Sequence, residues 1–529
     1  MASSSSKGKA PSRFAPPLLS CCFDPDHSPE RAVGSVGSSC MPELRAAADS
    51  IVEAFRKHDH RGSKVIDRVA FASIIRELQP SLSEAELESL LGEAGIAPKE
   101  PVNYEQFITW LCSDTDDAAP VAEPAAPATA EAEPQAAAYV QEFFPHLFGF
   151  EEKGGYEAVQ GKFAAEEDKQ GITLVSKANG RRFYAGAFSC PSLASLREEE
   201  KRLAGSSSGG GAARKRPLEV RHVVTNSSLE DHAAPSNAGA LFQVASQFNC
   251  LEFTSNKRIP EEGVSGYVHD CTQGPDCAVA CAPATVYRNY LVPVAGADKA
   301  APELGQTAER QLNLLEDLEV LLGNRDELAE DGHGRYFWLQ NGYVCSDAKR
   351  LQALGKRLEE LGETGRDELR ASIKVGLGLG SEVVFSALVP FEGLVPVPAG
   401  SRPRASQVFS AAANVMVLGS DPDDWEPFAR LLLEATYEAA LWAGVRNARL
   451  ATEVMGQDAA ALAGSRRVML TSVGGGVFGN RSEWITDAMN RALQALAKEA
   501  PDDGWGLEVC VAHFQHINPS LEKAVQLAS

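Results

Sequence analysis

The stretch RVMLTSVGGGVFGN, residues 467–480, joins an apolar run to a glycine-rich segment. The run predicts a buried strand, and the glycines allow a tight turn in which backbone N–H groups reach an anion with no Cβ in the way. A helix is expected next, with Ser482 placed to cap it and six apolar residues on one face: Trp484, Ile485, Ala488, Ala492, Leu493 and Leu496. Because the N-terminal end of a helix attracts negative charge, the stretch predicts a phosphate-binding loop. A turn that only packs the strand against the helix is the alternative.

The flanking sequence predicts the layers around this loop. A long apolar helix is expected over 424–444, where Gly444 is placed to end it. Four strand-like runs alternate with helical patterns, at 241–246, 407–413, 468–473 and 507–512. Such alternation is typical of helices packed on both faces of a sheet. We therefore expect residues 220–518 to form a three-layer α/β/α domain around a mixed central sheet.

The string Gly476-Val477-Phe478-Gly479, after a strand that ends in Ser472, resembles the second phosphate loop of the ADP-ribose-binding macrodomain. That loop has the form Gly-(Ile/Val)-(Phe/Tyr)-Gly. Residues 406–413 and 241–249 resemble two further macrodomain strands, the second with a divergent Asn-Ala-Ala-Asn end in which Asn249 would contact the distal ribose. The resemblance implies that ADP-ribose or a related nucleotide diphosphate, free or attached to a protein, binds at these residues: Asn249, Ser472, Gly474, Gly475, Gly476, Val477, Phe478, Gly479 and Asn480.

The chain departs from the macrodomain pattern at the first loop. The related poly(ADP-ribose) glycohydrolases have a glycine triplet there, followed by a glutamine and paired glutamates, whereas residues 267–275 contain one glycine and no glutamate. Asp270 and Gln273 are then the candidates to orient a water or a ribose hydroxyl, if the domain hydrolyses an ADP-ribosyl bond. The alternative is a turn before a helix at 278–290, with Asp270 as a local hydrogen-bond acceptor. These residues leave open whether the domain is an enzyme or a binding module.

Residues 41–113 form a helical block that resembles a pair of EF-hands. Apolar residues recur at helical spacing on both sides of two polar loops. Ile66 and Val102 take the places of the short strands that pair the loops, and Phe71 and Phe107 follow them. The resemblance implies two helix-loop-helix units that pack together.

Calcium binding by these two loops is not expected. An EF-hand loop needs several carboxylates, a glycine at its sixth position and a glutamate at its twelfth. Lys64 and Glu100 occupy the sixth positions, while Ala70 and Gln106 occupy the twelfth. Two alternatives to ADP-ribose binding are a calcium-responsive EF-hand protein and a non-enzymatic scaffold whose EF-hand-like pair binds a helix.

The sequence predicts a multidomain protein with an EF-hand-like helical pair and an α/β macrodomain-like domain. Composition and pattern divide the chain as follows: a disordered tail at 1–40, the EF-hand-like pair at 41–113, an acidic Ala/Pro-rich linker at 114–138, a small α+β module with a hairpin and a flexible Gly/Ser loop at 139–219, and the macrodomain-like domain at 220–529, with a helical insertion at about 300–365.

Charge and hydropathy exclude some classes of partner. The chain has 529 residues and a formal net charge of −22, which makes it an acidic protein. A surface of this sign repels nucleic-acid phosphates and anionic membranes, so neither is an expected partner. No apolar run approaches the roughly 20 residues that span a bilayer, so no transmembrane helix is expected.

The cysteines predict a reducing environment. The chain has eleven cysteines, and neither their odd number nor their irregular spacing is typical of a disulfide-bonded protein. A cytoplasmic location is therefore expected; the serine-rich first 22 residues lack acidic residues, which leaves a plastid or another organelle as the alternative. Cys271, Cys277 and Cys281 lie near His269 but lack the spacing of a zinc site, so no metal and no cofactor are expected.

Overall fold

The computed structural model describes residues 65–66, 71, 102–103, 139–206, 217–270, 272–295, 302–324, 327, 333–389, 392–417, 421–501 and 504–525. The chain divides into two compact units, residues 1–131 and 132–529.

In the first unit, β1 (Val65–Ile66) pairs antiparallel with β2 (Val102–Asn103), and Ile66 lies opposite Val102. Phe71 and Val102 are fully buried. This is the pairing that the EF-hand resemblance predicts for these two residues. The helices and loops of the EF-hand-like pair lie outside the described residues, so the assignment itself stays a prediction.

The second unit contains strands and helices in alternation. Its strands are β3 (Phe163–Asp168), β4 (Gly171–Ser176), β5 (Arg182–Ser189), β6 (Glu219–Thr225), β7 (Leu241–Ala245), β8 (Pro293–Val294), β9 (Glu303–Leu304), β10 (Trp338–Gln340), β11 (Tyr343–Cys345), β12 (Gly376–Glu382), β13 (Phe385–Val389), β14 (Gly393–Pro396), β15 (Arg404–Ser410), β16 (Arg467–Leu470) and β17 (Glu508–Phe514). Its helices are α1 (Phe143–Phe148), α2 (Tyr156–Gln160), α3 (Leu193–Ser206), α4 (Ser228–Ala233), α5 (Gln273–Ala280), α6 (Ala282–Tyr290), α7 (Glu316–Leu322), α8 (Ala348–Ser372), α9 (Pro422–Met455), α10 (Ser482–Lys498) and α11 (Pro519–Ala524).

Nine of the described strands form one mixed sheet in the order β3-β4-β5-β12-β15-β7-β16-β17-β6. The strands from β3 to β15 pair antiparallel, and those from β15 to β6 pair parallel. The sheet unites the four runs singled out in the sequence as β7, β15, β16 and β17. The predicted mixed central sheet is therefore confirmed.

Helices cover both faces of this sheet. Side chains of α3, α8, α9 and α10 contribute to one hydrophobic core, and those of α1, α4, α5 and α6 contribute to a second. Successive residues of β16 alternate between the cores, since Val468 and Leu470 belong to the first and Met469 to the second. A strand buried on both faces is apolar at every position, which explains the continuous run in the sequence.

The segment predicted as a small module, residues 139–219, shares one sheet with the residues that follow it. Its strands β3, β4 and β5 extend the sheet, because β5 pairs with β12 through Leu377 opposite Ser189. The predicted hairpin is present as β4 and β5, joined by a turn that contains Gly180 at φ +70°.

Two helix boundaries also differ from the sequence expectation. Helix α9 continues through Gly444 to Met455. Gly444 allows close packing on β16 instead of ending the helix, since a Cβ there would lie 2.3 Å from Val468 Cγ2. Helix α10 begins at Ser482, and Arg481 rather than Ser482 is its N-cap residue. None of the described helices is long and apolar enough to cross a membrane.

Candidate functional site

Two adjacent cavities lie at the carboxyl ends of the parallel strands, the edge at which open α/β sheets bind ligands. The loop cavity, of ≈ 250 Å³, is lined by residues 245–247, 252–254, 270, 272–275, 343, 412, 471–474 and 476–478. The strand cavity, of ≈ 270 Å³, is lined by residues 225, 227, 228, 231, 242, 243, 272, 273, 276, 469–471, 512 and 514. Thr272, Gln273 and Thr471 line both cavities.

The glycine-rich loop after β16 is fixed by close packing. Gly474 has φ +75°, and a Cβ there would lie 2.7 Å from Ala412 Cβ and 2.6 Å from Asn480 Nδ2. The Asn480 side chain is buried and donates from Nδ2 to the Ala413 carbonyl at 2.8 Å. Asn480 was predicted to bind ligand, but it does not line the loop cavity and instead ties the loop to the chain after β15.

The loop uses some of its backbone donors internally and leaves others free. Gly475 N donates to Ser472 O, Gly479 N to Gly476 O and Asn480 N to Gly474 O, at 2.9–3.0 Å. Five residues of this loop that line the cavity have an N–H group with no hydrogen-bond partner among the described residues: Ser472, Gly474, Gly476, Val477 and Phe478. Of the predicted ligand-binding residues, these five surround the cavity, whereas Gly475 and Gly479 do not line it.

The two predicted catalytic residues, Asp270 and Gln273, both line the loop cavity, but their side chains differ in how many hydrogen bonds they make. The Gln273 side chain is fully engaged with β7: its Oε1 accepts from Ala245 N and its Nε2 donates to Gln243 O, both at 2.8 Å. It therefore fastens the start of α5 to the strand. Asp270 Oδ1 accepts from Thr272 N at 2.9 Å, which is the local turn contact that the sequence offered as the alternative. Its Oδ2 has no donor among the described residues.

Asn249, predicted to contact a ribose, lies outside both cavities. The side chain is buried, donates from Nδ2 to Gln311 Oε1 at 2.8 Å and accepts from Leu251 N at 3.0 Å. Gln247, two residues earlier, lines the loop cavity instead. Its Nε2 donates to Phe253 O at 3.0 Å, and its buried Oε1 has no donor in the described structure.

Tyr343 closes one side of the loop cavity and was missed by the sequence reasoning. It follows the turn Asn341-Gly342 between β10 and β11, in which both residues have positive φ. Asn-Gly between two short strands is a strong hairpin signal, so the sequence indicates a hairpin here. The sequence does not indicate that this hairpin packs beside the glycine-rich loop. The Tyr343 ring lies 5.6 Å from the Phe478 ring, and its hydroxyl donates to Phe253 O at 2.6 Å.

Glu252 is a second residue that sequence reasoning missed. The residue lines the loop cavity. Its fully buried carboxylate pairs with the buried Arg288, whose Nη2 lies 3.1 and 3.3 Å from the two oxygens. Burial raises the pKa of Glu252 to about 7, although Arg288 opposes the shift. The only sequence signal is a single carboxylate within the apolar run from Cys250 to Phe253. A carboxyl group of this pKa can give or take a proton near neutral pH.

The strand cavity is lined mainly by apolar surface, and two carboxylates and two aromatic rings are among its lining side chains. Asp231 accepts from the Thr225 hydroxyl, and Asp276 lies on the first turn of α5. Burial, together with the charge of Asp270, raises the pKa of Asp276 to about 7. Phe514 lines the cavity with an exposed ring. No group of three or more His, Cys, Asp or Glu side chains among the described residues could hold a metal ion.

No protein-family model matches the chain, and no curated protein matches it. Matching solved structures include poly(ADP-ribose) glycohydrolase from Deinococcus radiodurans in apo form, with 11% identity, a TM-score of 0.27 and coverage of 64% of this chain and 89% of that chain. The same enzyme in complex with ADP-ribose has 13% identity, a TM-score of 0.25 and coverage of 64% and 91%. Poly(ADP-ribose) glycohydrolase from Thermomonospora curvata has 12% identity, a TM-score of 0.26 and coverage of 64% and 83%. TM-scores this low do not establish a common fold.

Proposed function

We propose that the second unit binds ADP-ribose or a related nucleoside diphosphate sugar across the two cavities. The proposal rests on the backbone N–H groups of Gly474, Gly476, Val477 and Phe478, for which the described part of the chain provides no acceptor. Successive backbone N–H groups in a turn form a concave anion site, which suits a diphosphate. The Gly-Val-Phe-Gly string within this loop is the one that resembles a macrodomain phosphate loop.

The lining residues favour recognition by hydrogen bonds over recognition by charge. None of the described residues around either cavity is a lysine or an arginine. The buried Gln247 Oε1 has no donor among the residues that the structure describes, and a ribose hydroxyl would supply one. We therefore expect an affinity that depends weakly on salt concentration.

The size of the site favours a ligand with two parts. Each cavity is smaller than the roughly 300–1,000 Å³ of a typical small-molecule site. Because both cavities share Thr272, Gln273 and Thr471, one elongated ligand would occupy both. The diphosphate and one ribose would lie in the loop cavity, and the base would lie in the strand cavity, where Asp231 and Asp276 accept hydrogen bonds from amino groups.

Gly476→Glu tests the binding site without disturbing the fold. A Cβ at Gly476 meets no atom within 4 Å, and its φ lies outside the left-handed region. The new carboxylate would stand where the diphosphate binds. We expect ADP-ribose affinity, measured by calorimetry, to fall about tenfold or more, which corresponds to about 1.4 kcal/mol or more.

Gly400→Glu is the matched control. Gly400 is exposed, has the same open surroundings and lies on neither cavity. The control adds the same charge and should bind as the wild type does. Equal affinity of Gly476→Glu and wild type would show that the loop is structural and would overturn the proposal.

Hydrolysis of an ADP-ribosyl bond is the second candidate function, favoured by the position and pKa of Glu252. A carboxyl group half protonated near pH 7 can protonate a leaving group or activate a water. Asp270, with one oxygen free, would orient the water or a ribose hydroxyl. We assign no chemical step to Gln273, because both ends of its amide are engaged.

Glu252→Gln separates chemistry from binding. The variant loses stability because Arg288 is left without its carboxylate partner. We expect its folded form to bind ADP-ribose as tightly as the wild type and to release no ADP-ribose from an ADP-ribosylated protein. If wild type itself releases none, the second unit is a binding module and the hydrolysis proposal fails, while the binding proposal stands on the calorimetry.

A further inference from the structure

Cys190 lies opposite a glycine at the junction of β5 and β12. Leu377 pairs with Ser189, and the bond from Val375 N to Pro191 O at 3.1 Å continues the same antiparallel register. Gly376 is therefore the residue opposite Cys190. Directly opposite residues in an antiparallel pair present their side chains on the same face, about 4.5–5.5 Å apart.

The Cys250 sulfur occupies the space that a side chain at Gly376 would fill. A Cβ at Gly376 would lie 2.5 Å from Cys250 Sγ. Because that direction is also the direction of the Cys190 side chain, the register brings the two thiols together. The two thiols are close enough to influence each other's pKa.

The two thiols differ in access and in acidity. Cys190 is half-buried, whereas Cys250 is fully buried. The neighbouring Cys250 thiol is the largest cause that lowers the pKa of Cys190, burial opposes this effect, and the nearby Lys374 adds to it. Burial is the largest cause that raises the pKa of Cys250. Cys190 is thus the thiol that forms a thiolate and meets a solvent-borne oxidant first.

We propose that Cys190 and Cys250 form a reversible disulfide when the protein meets a hydroperoxide. The Cys190 thiolate attacks the O–O bond and takes one oxygen, which gives a sulfenic acid and releases water or an alcohol. The Cys250 sulfur then displaces that oxygen as water, which gives the disulfide. The hydroperoxide is reduced by two electrons, and the two thiols supply them. A small-molecule dithiol then reduces the protein disulfide back to the two thiols and is itself oxidised to a disulfide.

The bond would act on the segment that carries residues of the loop cavity. Cys250 has φ +61°, its N–H donates to Gln247 O at 3.0 Å, and its carbonyl accepts from Arg288 Nε at 3.0 Å. Linking Cys250 to β5 therefore fixes the chain between Gln247 and Glu252. We expect oxidation to change ADP-ribose affinity, and this consequence alone rests on the proposed function.

Peptide mapping tests the disulfide directly on the full chain. The native protein is treated with hydrogen peroxide, blocked with N-ethylmaleimide and digested with trypsin. Cleavage places Cys190 in peptide 183–197 and Cys250 in peptide 222–257, each with no other cysteine. We expect a linked pair of these peptides that disappears on reduction with dithiothreitol. Separate peptides, with Cys190 alkylated or oxidised to sulfinic acid, would overturn the proposal.

Single-residue variants identify the roles of the two thiols. Cys190→Ser should give no linked peptide and leave Cys250 unoxidised, whereas Cys281→Ser, a buried cysteine on the opposite face, should give the wild-type result. Cys250→Ser should trap Cys190 as a sulfenic acid that dimedone labels; no labelling would contradict the order of steps. These experiments measure peptide masses and not ADP-ribose binding. They therefore test the disulfide even if the protein does not bind ADP-ribose.

Discussion

Glu252 and Arg288 form the most deeply buried ion pair that touches the candidate site. Arg288 also stacks on Phe409, with its guanidinium carbon 3.9 Å from the ring centre, and donates to the Thr285 hydroxyl at 3.1 Å. Removal of one partner of such a pair leaves an uncompensated buried charge. Sequence alone did not reveal this pair, because the two residues are 36 positions apart and only the packing of α6 on the segment after β7 joins them.

We expect Arg288→Met to lower the free energy of unfolding by about 3–5 kcal/mol, and more at pH 8.5 than at pH 6. Without Arg288, the folded-state pKa of Glu252 rises further above its unfolded value. The folded state then binds more protons than the unfolded state, so stability is retained at low pH and lost as pH rises. Urea unfolding at the two pH values measures both effects.

The double variant Glu252→Gln/Arg288→Met is the control for the pH effect. It has no carboxyl group at this position, so the additional loss at pH 8.5 should vanish. A single Arg288→Met variant whose loss of stability does not depend on pH would contradict the raised pKa of Glu252.

At the scale of elements, the start of α5 packs closely against the end of β7, and residues at this contact line both cavities. A Cβ at Gly274 would lie 1.9 Å from Ala245 O, and the adjacent Gln273 replaces ladder hydrogen bonds at the same strand end. The sequence predicted β16, the glycine loop and the helix after it, because an apolar run, glycines and a helical face are local signals. It did not predict that Gly274 and Gly444 serve close packing, since that role depends on the neighbouring element.

We expect Gly274→Ala to lower the free energy of unfolding by about 2 kcal/mol or more, because α5 must move away from the Ala245 carbonyl. Gly266→Ala is the matched control: a Cβ there meets no atom within 4 Å, and the change should cost little. Urea unfolding measures the free energy of unfolding of both variants and of the wild type. Equal stability of the two would contradict the contact between α5 and β7.

For the whole molecule, the continuous sheet sets the limits of the folded unit. The sequence placed a boundary near residue 220, because the Gly/Ser-rich stretch after α3 reads as a linker between two modules. Strand pairing over long sequence separations cannot be read from local patterns, and it is the pairing of β5 with β12 that joins residues 139–219 to the rest. The site residues from distant parts of the chain, Gln247, Tyr343 and Phe478, were assembled by the same long-range packing.

A truncated chain tests this limit. Residues 220–529 lack β3, β4 and β5, so β12 would present an unpaired apolar edge, and such edges cause aggregation. We expect residues 139–529 to be soluble with a single cooperative urea transition, and residues 220–529 to be insoluble or to lack that transition. Equal stability of both fragments would contradict the single nine-stranded sheet.

The most direct test of the central claim is a crystal structure of residues 139–529 soaked with ADP-ribose. We predict diphosphate oxygens within hydrogen-bonding distance of the backbone N–H groups of Gly476, Val477 and Phe478, a ribose hydroxyl on Gln247 Oε1, and the adenine in the strand cavity near Asp231. Density for the ligand at any other place, or two empty cavities at saturating ADP-ribose, would contradict the account.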